Sequence, residues 1–481
     1  MSAQPPSQPS RRSLLRTVGA GFPMLALTDL LSRDGFFAQP ARAAGAEGLL
    51  AAKQPHFAAK AKHVVFLFMN GAPSQVDTFD PKPELVRQHG RPYQGDLAIG
   101  SNNRPIGHLM QSPFEFRRHG QSGLEISSLF PHIARHADDL CVIRSLYTDT
   151  AAHASGCIQM NTGSVAIGKP SLGSWLSYGL GTLSQDLPSY VVMTDPRGGP
   201  IGSASNWSAG FMPAAYQGTL FRSGGTPLLN LETPPGVNDH TQRGSLDMLK
   251  RLNEMHQQGH EGDSELAARI HSYELAYRMQ TTAAEAVDLD AESRQTREMY
   301  GLHNDRTADF GRKCLITKRL LERGVRFVQL YSGGGHIEDT WDGHNDCISN
   351  HTLHAGETDQ PIGALITDLK RSGLWDETLL VWGGEFGRTP TSEGLGKPGR
   401  DHNWLGFSMW LAGAGVQGGQ AVGATDELGF EAVEDRWHVS DLHATILHLM
   451  GLEHKKLTYF YQGLDQRLTG VRGELIRKAL A

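Results

Sequence analysis

Long apolar runs are missing from this chain. Hydrophobic residues are 39% of its 481, yet none of their runs approaches the roughly 18–20 residues that a membrane span needs, which excludes a polytopic membrane protein. Cysteine is scarce. Cys141, Cys157, Cys314 and Cys347 lie far apart with no CxxC pair, so neither a four-thiolate zinc site nor a disulfide scaffold is in prospect, and buried free thiols are expected. Positive charge is not in excess either: 45 Lys and Arg against 51 Asp and Glu give a formal charge of -6, which argues against a mainly electrostatic nucleic-acid binder. No internal repeat is visible. What the chain does have is 56 Gly, 24 Pro and 22 His, too little Gly and Pro for low complexity, and enough His to make metal or acid–base chemistry worth seeking.

The first residues read as an export label. Ser10-Arg11-Arg12-Ser13-Leu14-Leu15-Arg16 is a twin-arginine pattern, Thr17 to Thr28 is uncharged, and Ala41-Arg42-Ala43 offers small residues at a cleavage site. Residues 1–43 are therefore expected to be a twin-arginine signal peptide, 44–60 a linker, and the product periplasmic or secreted, with the twin-arginine machinery as a partner and no integral membrane span. Removing 1–43 takes away five Arg and two Asp and leaves the remainder near -9.

Beyond the label, β-rich runs alternate with helical periodicity. His63–Met69, Leu140–Leu146, Ser189–Met193, Arg326–Tyr331, Thr378–Trp382 and Phe407–Leu411 read as strands covered on both faces. Ser264–Thr282, Asp309–Arg323, Ile362–Ser372 and Ser440–Met450 read as helices, the last with Ser440 as N-cap. The alternation predicts an α/β fold, a mostly parallel sheet with helices on both faces, as one domain over 61–475. Residues 90–125 and 195–240 read as long loop insertions and 245–305 as a helical insertion.

Four loops could carry chemistry, each just past a predicted strand. In Met69–Asp80, Asn70 and Asp77 offer oxygen to a hard or borderline cation and Ser74 a hydroxyl to an anion; Asx-capped turns explain the same residues without a ligand. In Tyr147–His153 a Thr or Ser hydroxyl can serve as nucleophile, or Asp149 simply caps the next helix. In Gly333–Asp346, Asp and His two residues apart, as in Asp342 and His344, can converge on Zn, Fe or Mn; His336 is a more distant candidate. In Gly383–Asn403, Glu385 sits where its strand runs out, Arg388 can clamp an anion or pair with Glu385, and His402 follows before the next strand. Open α/β sheets hold their active sites at the carboxyl ends of strands, so the convergence of the four loops matters more than any one.

The blocks Asn70–Pro83, Thr148–Gly163, Trp341–His344, Gly384–Pro390, Gly399–Asn403, Leu411–Gly419 and Asp441–Thr445, in this order, resemble the bacterial domain of unknown function 1501 family over residues 60–470. That family in turn resembles the alkaline phosphatase superfamily, sulfatases included. The resemblance implies an alkaline phosphatase/sulfatase-like fold and one or two divalent ions (Zn, Mn or Ca). It implies Asp342 and His344 as a metal pair, Glu385 where an Asp-His pair is usual, His402 as a last His ligand, Asn70 where an Asp is usual, and Thr150 near the nucleophile. Two departures stand out: Asn70 is neutral, and Phe386, no ligand, follows Glu385. The formylglycine run C/S-x-P-x-R occurs only as Ser7–Arg11, inside the export label, so a formylglycine-dependent sulfatase is not expected.

The expectation is an exported, metal-dependent hydrolase of phosphate or sulfate esters, small-molecule or polysaccharide, with Thr150, His153 and Arg388 catalytic and Ser74 and Arg388 on the substrate. Asn70, Asp77, Asp342, His344, Glu385 and His402 form the metal set. The alternative is a non-catalytic envelope protein of the same fold that binds anionic polysaccharide.

Overall fold

The structure is a computed structural model, and it describes residues 49–95, 107–222, 239–257, 275, 278–279, 282–392 and 397–481. The expected signal peptide and most of the expected helix at Ser264–Thr282 lie outside these residues.

Seven consecutive buried residues, His63–Met69, form β1 at the centre of a nine-stranded sheet. The other strands are β2 (Leu140–Tyr147), β3 (Tyr190–Met193), β4 (Thr219–Phe221), β5 (Phe327–Ser332), β6 (Thr378–Gly383), β7 (Phe407–Gly413), β8 (Gln420–Val422) and β9 (Trp437–His438). Their order is β8-β2-β7-β6-β1-β5-β3-β4, with β9 also on β2. All pairings are parallel except those of β7, which runs against both β2 and β6. Each expected strand is present within two residues at either end.

Because strand residues alternate in direction, β1 feeds two cores. Val64, Phe66 and Phe68 pack on one face with α1 (His153–Thr162), α2 (Leu172–Leu180) and a C-terminal helix, Val439–Leu449. Val65, Leu67 and Met69 pack on the other face. There they meet α4 (Ala308–Glu322) and α5 (Cys347–Ser372), which follow a polar helix in the expected insertion, α3 (Asp239–Gln257). The C-terminal helix is α6. Its N-cap is His438 rather than the expected Ser440: the His438 ring accepts from the Ser440 N–H while Asp441 accepts from the His438 N–H.

Residues 49–60, read from sequence as a linker, lie docked as a strap. Leu50 is buried, and backbone bonds run from Lys53 to Leu180, from His56 to Gly451 and from Lys60 to Leu449. All four cysteines are buried free thiols. No described helix is long and apolar enough to cross a membrane.

Candidate metal centre

The loops that leave β1, β2, β5 and β6 share one edge of the sheet, the carboxyl edge. Because β7 runs the opposite way, the segment entering it, with His402, comes to that edge as well. The single antiparallel strand therefore delivers a residue that a wholly parallel sheet would have placed at the far side.

At this edge His153, Asp342, His344 and His402 offer one ligand atom each, all within 4.8 Å of one another. His153 stands on the first turn of α1, with Nε2 3.2 Å from Asp342 Oδ2. His344 Nε2 is 3.1 Å from Asp342 Oδ1 and 2.8 Å from His402 Nε2. The outer nitrogens are held by the protein. His402 Nδ1 donates to the Ala151 carbonyl at 2.6 Å, and His153 Nδ1 donates to Glu385 Oε1, also at 2.6 Å. Each of these bonds fixes a tautomer and leaves an Nε2 lone pair facing Asp342. The buried His153 Nε2 has no hydrogen-bond partner. A lone pair set against a carboxylate is repulsive unless a cation, proton or metal, lies between them, so the donor set fits a metal ion.

The electrostatics agree. Burial alone pushes the Asp342 carboxyl up, but the Arg388 charge and the contacts with His153 and His402 outweigh it and hold Asp342 well below the usual carboxylate range. Burial pushes His402 down to about 4, against a smaller opposing pull from Asp342. For His153 burial also works against the charged form, but Asp342 and Glu385 together raise it.

Two glycines let the loops approach. Gly71 has φ +104°, and a Cβ there would lie 2.7 Å or less from Thr340 Oγ1 and the backbone nitrogens of Trp341 and Asp342. At Gly399 a Cβ would fall 1.5 Å from the His344 carbonyl oxygen.

The remaining expected residues sit around the group. Glu385 is fully buried and accepts the Gly71 N–H with both oxygens, at 2.9 and 3.2 Å, so it orients His153 from behind. His153, expected as a proton carrier, thus stands among the metal-type donors, and Glu385, expected as a ligand, stands behind it. Asp77 is outside the group: Arg400 binds both its oxygens at 2.7 and 3.0 Å in full burial, and although burial opposes it, that guanidinium keeps the carboxyl low. Asn70 braces the loops, its amide donating to the Gly333 carbonyl and its backbone carbonyl accepting from Trp341. Ser74, expected to meet an anion, is fully buried; its N–H donates to His351 Nε2 at 2.8 Å, and its hydroxyl has no hydrogen-bond partner.

Arg388, expected as an anion clamp, is turned toward Asp342. It is fully buried, with Nη1 2.6 Å from Asp342 Oδ1, Nε on the Ala72 carbonyl and Nη2 on the Gly71 carbonyl. Gln75 holds its backbone on both sides. Thr150 is half-buried, and its hydroxyl accepts from the Ala152 N–H at 3.1 Å, capping the approach to α1. His336 is exposed and far from this packing role, capping a short turn at Ile337–Asp339. Arg400, Gln75 and the Ala151 carbonyl carry no local sequence signal for these roles, because their partners lie hundreds of positions away in the chain. A cavity of about 500 Å³ beside α6, lined by Trp437, His448, Glu453 and His454 among others, contains none of the four donors.

The model of the family described as protein of unknown function (DUF1501) matches residues 61–480. No curated protein matches. Among solved structures, the lipoteichoic acid synthase LtaP from Listeria monocytogenes aligns with 89% of this chain and 80% of its own at 11% identity and a TM-score of 0.37. The PsFucS1 sulfatase from Pseudoalteromonas sp. covers 92% of this chain and 74% of its own at 13% identity and 0.34. Alkaline phosphatase from the Antarctic bacterium TAB5 covers 83% of this chain and 99% of its own at 12% identity and 0.31.

Proposed function

We propose that this chain, which belongs to the DUF1501 family, is an exported, metal-dependent hydrolase of phosphate or sulfate esters. The observation that carries the reading is the convergence of His153, Asp342, His344 and His402 at the carboxyl edge of the sheet, with the outer nitrogens of His153 and His402 already committed to protein acceptors. A bound divalent ion supplies Lewis acidity toward an ester oxygen and lowers the pKa of water. This chain's own residues do the rest. Glu385 and the Ala151 carbonyl orient two imidazoles, and Phe386, with its ring 4.9 Å from that of His153 and 5.0 Å from that of His402, walls one side. The Thr150 hydroxyl, next in sequence to the carbonyl that holds His402, is the side-chain nucleophile of this proposal. With Arg388 committed to Asp342, recognition of the ester's charge falls to the centre itself.

The test is hydrolysis of aryl phosphates, phosphodiesters and aryl sulfates by the chain loaded with different divalent metals. Turnover that chelator removes, that metal restores and that Thr150→Val abolishes supports the reading; absence of turnover with every metal and ester class ends it. The buried state of Arg388, engaged by Asp342 and by the Ala72 and Gly71 carbonyls, favours a second reading, a non-catalytic protein binding anionic polysaccharide. It predicts polysaccharide retention without turnover in the same experiment. Export is tested separately, by whether Arg11→Lys together with Arg12→Lys holds the chain in the cytoplasm.

A further inference from the structure

We propose that His153, Asp342, His344 and His402 hold one ion of the zinc class, and that the Arg388 guanidinium stands where a second divalent cation would otherwise be required. The proposal rests on the metal-dependent reading above and specifies which ion and how many.

Donor chemistry decides the class. Three imidazole nitrogens and one carboxylate form a nitrogen-rich set suited to a borderline ion such as zinc, whereas calcium and magnesium take oxygen donors in higher number. Two of the imidazoles are preset for coordination, His153 by Glu385 and His402 by the Ala151 carbonyl.

Occupancy of the neighbours decides the number. A second ion beside Asp342 needs further donors with free lone pairs, and the residues nearest in sequence to that role are engaged. Asn70 Oδ1 accepts from the Ile201 N–H at 3.4 Å and from Cys157 Sγ at 3.5 Å. Both oxygens of Asp77 belong to Arg400. Glu385 serves the Gly71 N–H and His153. On Asp342 Oδ1 itself lies Arg388 Nη1, 2.6 Å away. Arg388 cannot swing out, because its other nitrogens are bonded to the Ala72 and Gly71 carbonyls in full burial.

Charge gives the same answer. Among the described residues, the carboxylates at the group are Asp342, Glu385 on His153, and Asp401, 3.9 Å from His344 Nδ1; the guanidinium facing them is Arg388. That leaves two negative charges, which one divalent ion balances and two would overshoot in a place where unbalanced charge is costly. Arg388 is a permanent internal cation: it neutralises one side of Asp342 without depending on metal supply.

The test uses the full chain, stripped with chelator and reloaded separately with Zn2+, Co2+, Mn2+ and Ca2+. Bound metal per chain is measured by elemental analysis, and affinity by competition with a chromophoric chelator. One Zn2+ per chain, preferred over Ca2+, with strong visible bands in the Co2+ form, is the expected result. His344→Ala and His402→Ala should each weaken zinc by about 10-fold or more; the stoichiometry of the unaltered chain stands even if either variant fails to fold. Two ions per chain, or Ca2+ retained over Zn2+, overturns the proposal while leaving a metal-dependent hydrolase intact. One zinc without ester turnover upholds the proposal and removes the hydrolase. No bound ion under any loading overturns both.

Discussion

Glu385 shows how much of this centre depends on a residue that does not belong to the four-donor group. Its carboxylate fixes the His153 tautomer and also ties β6's exit to Gly71. Glu385→Gln keeps the shape and removes the charge, so zinc affinity should fall by about 10–100-fold with the fold intact. Unchanged affinity in chelator competition would show that His153 needs no such support. His351 makes a prediction of another kind. It is fully buried and accepts from the Ser74 N–H, which only a neutral Nε2 can do, and burial lowers its pKa to about 3. In the unfolded chain the same imidazole titrates near 6.5. The folded state thus binds fewer protons between these values, and stability is full above about 6.5 and declines as pH falls toward 3. His351→Gln, whose side-chain oxygen can still accept, should flatten that part of an acid unfolding profile; an unaltered slope would assign the acid sensitivity elsewhere. At this scale the sequence was only partly legible. Asp342, His344 and His402 stand out as residue types in Gly-bounded loops, but the partner of Asp77 is Arg400, 323 positions away, and nothing local announces such a pair.

The elements were more legible than the residues, because burial on both faces writes itself into continuous apolar runs such as His63–Met69. Helix α2 and the short strands β4, β8 and β9 escaped that signal, β4 within a stretch expected as loop, and helix α5 was read only in part. It begins at Cys347 and carries Pro361 in its interior, so a reading that treats Pro as a boundary starts the helix at Ile362 and loses its first four turns. Asp346 is the true cap, accepting from the Ile348 and Ser349 N–H groups. The direction of β7 was also unreadable, since a buried strand has the same composition either way up, and it is this direction that carries His402 to the site. The close approach of the segment before β7 to the loop after β5 gives an element-level prediction. Gly399→Ala places a methyl against the His344 carbonyl and should displace His344, with a large loss of zinc affinity and a lower melting temperature. Gly199→Ala, where no atom lies within 4 Å of the added methyl, should change neither. Equal effects from the two substitutions would show that crowding at Gly399 is relieved without moving the ligand.

On the scale of the whole molecule, the strap at residues 49–60 belongs to the folded body. Removing residues 1–60 exposes the site of Leu50 and the carbonyls of Leu180, Leu449 and Gly451, and should destabilise the protein by about 2 kcal/mol or more, read as a lower thermal midpoint. An identical midpoint for the chain starting at residue 61 would return the strap to the status of a linker. The strap also shares a support with the other end of the chain. It bonds to Leu449 and Gly451 at one end of α6, while Glu474 and Ile476 of the tail bond to Asp441 and Thr445 along the same helix. In mechanical terms, strap and tail both load α6, the strap at its far end and the tail along its length. That helix starts beside the carboxyl edge of the sheet and ends at the opposite one, so a pull on the strap enters it at the end remote from the four converging donors.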